Sequence, residues 1–155
     1  MNTKKITSTT PEIQKLKAPS IEELCITGLQ AMNRKLKTGF CDQIHRFYCR
    51  TQIEVTGSDP NTLMVDFLTS ILSLSQEEKV IYCRAQFLYF SEKKITATIF
   101  GAPVYHFDRE ITSIELMKER IKKNTQNQWE TVLLFNVTAK KYPEKKSNKR
   151  SQSFR

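Results

Sequence analysis

The residues able to do chemistry are few and widely spaced. Four cysteines, Cys25, Cys41, Cys49 and Cys83, are separated by 16, 8 and 34 positions, with no Cys-x-x-Cys pair and no histidine at zinc-finger spacing, so the sequence offers no zinc site. Cys49 and Cys83 fall on apolar faces of predicted strands and Cys25 on a helix face, where a free thiol behaves as a small hydrophobe; the expectation is buried, reduced thiols. His45 and His106 stand in segments without a serine or cysteine nucleophile motif, so no catalytic triad can be read. The four glycines, Gly28, Gly39, Gly57 and Gly101, are too far apart to build a phosphate-cradling loop or a dinucleotide fingerprint. The sequon Asn136-Val137-Thr138 lies in a segment that reads as a buried strand and is taken as chance.

Charge points to a different kind of partner. The net charge of +9 belongs to the two ends: residues 1–18 carry four lysines against Glu12, and residues 140–155 carry seven basic residues against Glu144. The remaining 19–139 are neutral, with 14 basic and 14 acidic residues. Chain ends of this composition are normally solvated and disordered. The functional reading is that Lys140, Lys141, Lys145, Lys146, Lys149 and Arg150 add salt-sensitive attraction to RNA. The sequence thus divides into a basic N-terminal arm (1–18), one domain (19–139) and a basic disordered tail (140–155). No stretch is apolar for the eighteen or more residues of a membrane helix, and the first ten residues lack the apolar core of a secretory signal. A cytoplasmic protein with no membrane contact is expected.

The elements that must position these residues follow from periodicity. The arm allows one short strand near Ile13–Leu16. Ser20 and Glu23 form a capping box, and Ile21, Leu24, Cys25, Gly28, Leu29 and Met32 repeat at three and four, which predicts a helix over 21–34. Alternation from Ile44 to Thr56 predicts a strand. Ser58 or Asp59 then offers an N-cap and Pro60 a first helical residue for an apolar helix over 60–75, in which Asp66 needs a partner or the edge of the face. Val80–Phe90 and Ile95–Phe100 predict a hairpin through Ser91-Glu92-Lys93-Lys94. An irregular loop follows Gly101-Ala102-Pro103, Ile111–Lys122 fits helix or strand, and Trp129–Val137 is apolar on both faces, as a central strand requires. Two helices and five or six mostly antiparallel strands make an α+β domain, one sheet with helices packed on a face.

In that order the elements resemble the archease family. The most specific match is Thr62-Leu63-Met64-Val65-Asp66-Phe67-Leu68-Thr69-Ser70-Ile71-Leu72-Ser73-Leu74, similar to the family's Leu-Leu-Val-Asp-Phe-Leu-Asn-Glu-Leu-Leu-Tyr-Leu helix. Pro19-Ser20-Ile21-Glu22-Glu23-Leu24, the strand Ile53–Asp59, the strand Ile95–Pro103 ending in Gly101-Ala102-Pro103, and the closing strand Trp129–Val137 are similar to further family segments, and the likeness spans about 9–137. It implies a small accessory protein of an RtcB-type RNA ligase, promoting guanylylation and turnover of the ligase in tRNA splicing or RNA repair and not itself an enzyme. It also implies a divalent cation, calcium or magnesium, bound near the N-terminal stretch and the end of the last strand.

Position by position, the metal residues carried over are Glu12, the nearest carboxylate to a family Asp, and Asn136 and Val137, where the family has Asp-Ile. The run Ser113–Arg120 has Glu115 where the family has Lys and Glu119-Arg120 where it has Tyr-His. The expected partners are an RtcB-type ligase and, through the basic tail, tRNA. The alternative is a diverged protein- or RNA-binding module with the archease fold and no metal site. An independent enzyme lacks support, since no paired base and nucleophile or complete metal cage is present.

Overall fold

A computed structural model describes residues 8–117 and 120–139. The basic tail, with Lys140, Lys141, Lys145, Lys146, Lys149 and Arg150, lies outside the described residues, as do residues 1–7 and 118–119.

The chain order is β1 (Thr9–Ala18), α1 (Ile21–Leu36), a 3-10 turn (Cys41–Gln43), β2 (Cys49–Thr56), α2 (Pro60–Glu78), β3 (Val80–Phe90), β4 (Lys94–Pro103), β5 (Ile111–Leu116), β6 (Lys122–Lys123) and β7 (Trp129–Thr138). Both helix starts form as their sequences dictate. The Ser20 hydroxyl accepts the Glu23 amide at 3.1 Å, and an Asp59 carboxylate oxygen accepts the Thr62 amide at 2.9 Å with Pro60 following as first helical residue. That amide bond also holds the Asp59 carboxyl below its ordinary range.

The fold is α+β, and its strands divide between two antiparallel sheets rather than forming one. In the first, β7 pairs with β1 on one side and with β5 and β6 on the other. In the second, β4 lies between β2 and β3. Helix α1 touches β1, β7 and β3, while α2 touches β5, β2, β3 and β4, so each helix contacts both sheets. Their apolar stripes meet Ile53, Val55, Ile95, Ala97 and Ile99 from the second sheet and Leu133, Phe135 and Val137 from the first. Leu63, Met64, Phe67, Leu68 and Ile71 of α2 are almost wholly buried.

Several elements differ from expectation. The N-terminal strand runs ten residues, Thr9 to Ala18, each paired to β7; only Leu16 and Ala18 are buried, so backbone pairing rather than an apolar pattern makes it a strand. The strand expected from Ile44 begins at Cys49, opposite Gly101 near the end of β4, where Pro103 has no amide hydrogen to donate. Strand β4 itself runs from Lys94 to Pro103, three residues past the Phe100 end expected from the hairpin pattern. The ambiguous Ile111–Lys122 segment resolves as β5 and the short β6, through pairing with β7.

The cysteine expectation is corrected. Cys41 and Cys83 form a disulfide, with Cα atoms 5.6 Å apart. The bond is non-local: the 3-10 turn after α1 is carried back against β3, whose pairing with β4 skips Cys83 between Tyr82 and Arg84. Spacing along the chain carries no trace of this. Cys25 and Cys49 are free, and burial pushes the Cys25 thiol up to about 12, which makes it unreactive. Alkylation of unfolded, unreduced protein is expected to label two cysteines, and four after reduction. Cys41→Ser is expected to lower unfolding stability by about 2–4 kcal/mol, read by urea denaturation; four labelled thiols without reductant would refute the bond.

Candidate functional site

The parity of β1 places its even residues, Glu12, Gln14, Leu16 and Ala18, toward the helices. Glu12 opposes Phe135 across the ladder and therefore shares its inward face. Two cations converge on that carboxylate. Lys35, in the last turn of α1, donates to Oε1 at 2.9 Å. Arg109, in the loop before β5, donates to Oε2 at 2.6 Å and to Oε1 at 3.3 Å, a bidentate grip. The Lys35 ammonium also lies 5.3 Å from the centre of the Phe135 ring. Arg109 first, then Lys35, hold the Glu12 carboxyl below its ordinary value of 4.5 against the opposing effect of partial burial.

Neighbouring bonds fix this corner. The Asp108 amide donates to the Leu36 carbonyl at 2.7 Å, Lys37 approaches Asp108 at 3.4 Å, and Glu110 and Thr138 bond through Glu110 N to the Thr138 hydroxyl at 2.9 Å. The loop carrying Arg109 is thus tied to the end of α1 and to the end of β7.

Asn136 lies elsewhere. It opposes Pro11, one position from the Glu12–Phe135 pair, so its side chain is on the outer face of the sheet. There its amide donates to the Ser113 hydroxyl at 2.7 Å, and its main-chain carbonyl accepts from Thr112 at 3.2 Å. Val137 is fully buried, opposite Thr10. The β1–β7 ladder brings the backbones of Glu12, Asn136 and Val137 alongside one another, while the Glu12 and Asn136 side chains point to opposite faces. These residues do not fit a calcium or magnesium ion, which takes six or more oxygens with carboxylates among them: the single carboxylate already faces two cationic side chains. No cluster of three His, Cys, Asp or Glu occurs among the described residues.

The other candidates resolve simply. His45 and His106 are exposed, and Asp66 is half-buried on α2. Arg109 and Lys35 escaped sequence reasoning because they stand 97 and 23 positions from Glu12. The parity of Glu12 with Leu16 is the signal that could have shown a carboxylate turned inward and in need of a cation.

The model of the Archease protein family (MTH1598/TM1083) matches residues 13–137. The chain belongs to the archease family. Among solved structures, the Thermotoga maritima archease, described as a possible chaperone, aligns with a TM-score of 0.55 at 14% identity, over 88% of this chain and 98% of that one; at that identity the likeness is one of fold. No curated protein matches the chain. The family match begins at Ile13, one residue after Glu12, so the ion-paired corner straddles its boundary in this archease.

Two outcomes follow from the corner. Because Glu12 has a lowered folded pKa, its contribution to stability is present above the unfolded value and is lost as pH falls through the folded one. Glu12→Gln is expected to cost about 1–2 kcal/mol at pH 7, allowing for solvent screening of a half-exposed carboxylate, with the difference from wild type shrinking toward pH 3 in denaturant titrations. Millimolar calcium or magnesium is expected to leave the thermal midpoint unchanged, since only a ligand that binds the folded state raises it. A rise of several degrees on adding either ion would overturn the reading of Glu12.

Proposed function

We propose that this archease is an accessory factor, not an enzyme: it binds an RtcB-type RNA ligase and promotes its guanylylation and turnover in tRNA splicing or RNA repair. The observation that carries this reading is the family match across residues 13–137. The description of the Thermotoga archease as a possible chaperone accords with an accessory role. No described group pairs a general base with a nucleophile: the two histidines are exposed, and the buried Cys25 thiol is held protonated.

The ion-paired Glu12 favours action by docking, without a divalent ion supplied by this chain. The same observation favours the second reading, a diverged binding module that keeps the fold and has lost the ligase-activating role. A guanylylation assay of an RtcB-type ligase with GTP and limiting metal separates them. Stimulation is expected from the wild-type protein and also from Asn136→Ala, with activity within about twofold, because among the described residues its side chain bonds Ser113 alone, on the outer face. Stimulation lost in Asn136→Ala would return that residue to the working site. No stimulation by folded wild type, with a ligase shown competent, would leave the binding module.

A further inference from the structure

On the face of the three-stranded sheet turned away from the helices, Arg50, Gln52, Glu54, Arg84, Gln86 and Tyr89 are exposed, and the residues are ordered in rows by the register. Because cross-strand partners share a face, Arg50, Phe100 and Arg84 form one row, Gln52, Thr98 and Gln86 the next, and Glu54, Thr96 and Tyr89 the third. Lys94 closes the array: its ammonium lies 5.9 Å from the centre of the Tyr89 ring and 3.8 Å from Glu54. The Arg84 guanidinium lies 5.8 Å from the Phe47 ring centre and 5.9 Å from that of Phe100, so cation and rings stand together.

We propose that this face is a binding surface for single-stranded RNA. Arg50 and Arg84 make no ion pair with any described residue, and both are exposed. The one carboxylate in the three rows, Glu54, is the one Lys94 approaches, so the face presents uncompensated positive charge to a polyanion. Aromatic rings and guanidinium planes are the two surfaces on which unstacked bases lie, and Phe100, Phe47, Arg84 and the 54%-exposed Tyr89 supply both. In the middle row, the side chains of Gln52, Thr98 and Gln86 make no hydrogen bond to the described residues beyond the backbone ladder, so two amides and a hydroxyl offer donors and acceptors to base edges and ribose 2′-hydroxyls.

The outer face of the four-stranded sheet lacks this combination. Ile13, Val132 and Leu134 lie there with Lys15 and Lys17 and no aromatic ring, a composition without a stacking platform. The proposal does not depend on the ligase reading; a protein that fails to stimulate a ligase would still carry this face.

Fluorescence anisotropy of the full chain with a labelled 12-nucleotide single-stranded RNA, a duplex RNA and a single-stranded DNA of the same sequence tests it. Preference for single-stranded RNA over both is expected. The exposed pair Arg50→Gln and Arg84→Gln, made together and checked for an unchanged circular dichroism melt, is expected to weaken that binding about tenfold or more and to flatten the salt dependence by about 0.7 per lost phosphate contact. Lys145→Gln with Lys146→Gln, in the basic tail, is expected to weaken all three nucleic acids alike. Photocrosslinking of a 4-thiouridine RNA provides a readout that needs no variant, with adducts expected on peptides from β2, β3 and β4. Equal affinity for duplex or DNA, binding untouched by the double arginine change, or adducts confined to residues 140–155 would each overturn the proposal.

Discussion

Helix α2 sets the terms for the rest of the molecule. Its apolar residues cover more than a narrow stripe: Leu63, Met64, Phe67, Leu68, Ile71 and Leu72 are all buried, and Thr62, Thr69, Ser73 and Glu77 mark its exposed side. A helix apolar over so wide an arc has to be covered from more than one direction. One sheet on one side leaves part of that surface in water. The second sheet and α1 complete the cover, which is why the strands separate into two groups while one core runs continuously through both. Packing of this kind leaves each helix a narrow polar strip at the surface, with Glu22, Gln30 and Arg34 exposed on α1, and leaves the outer faces of the two sheets open to solvent.

Much of this was legible where local signals were strong. The Ser20 and Asp59 caps, the Pro60 start, the polar turn between β3 and β4, and the alternation of β7 each follow from residue type and short-range spacing, and each appears as read. What escaped depends on pairing between distant segments. The arm has too few apolar residues for a strong strand pattern, yet ten backbone pairs with β7 make it one. The Cys41–Cys83 bond joins residues 42 positions apart through a turn that has no periodicity. Whether Glu12 and Asn136 share a face depends on register, and the family likeness, which aligns positions along the chain, says nothing about parity across a ladder.

Electrostatics also separate by layer. Inside the edge of the first sheet, Glu12 is surrounded by Arg109 and Lys35, so charge there is spent on holding a loop to a helix and a strand. On the outside of the second sheet, Arg50 and Arg84 have no acidic partner among the described residues. The neutrality of residues 19–139 as a whole therefore conceals an uneven surface, and the same residue type has structural work in one place and an open valence in another.

The β1–β7 ladder has a mechanical consequence. Thr9 pairs with Thr138 and Ala18 with Trp129, so the outer ends of the two strands meet at the same end of the ladder. Tension applied between the chain termini peels the pairs apart one after another, beginning at Thr9–Thr138, instead of loading all ten in shear. Resistance is then set by one rung at a time, and the Glu12–Arg109 grip, at the fourth rung, is the first ion pair of the described residues that the opening fork meets. A force-bearing connection at both ends would unzip this domain from its seam, long before its doubly covered helix felt the load.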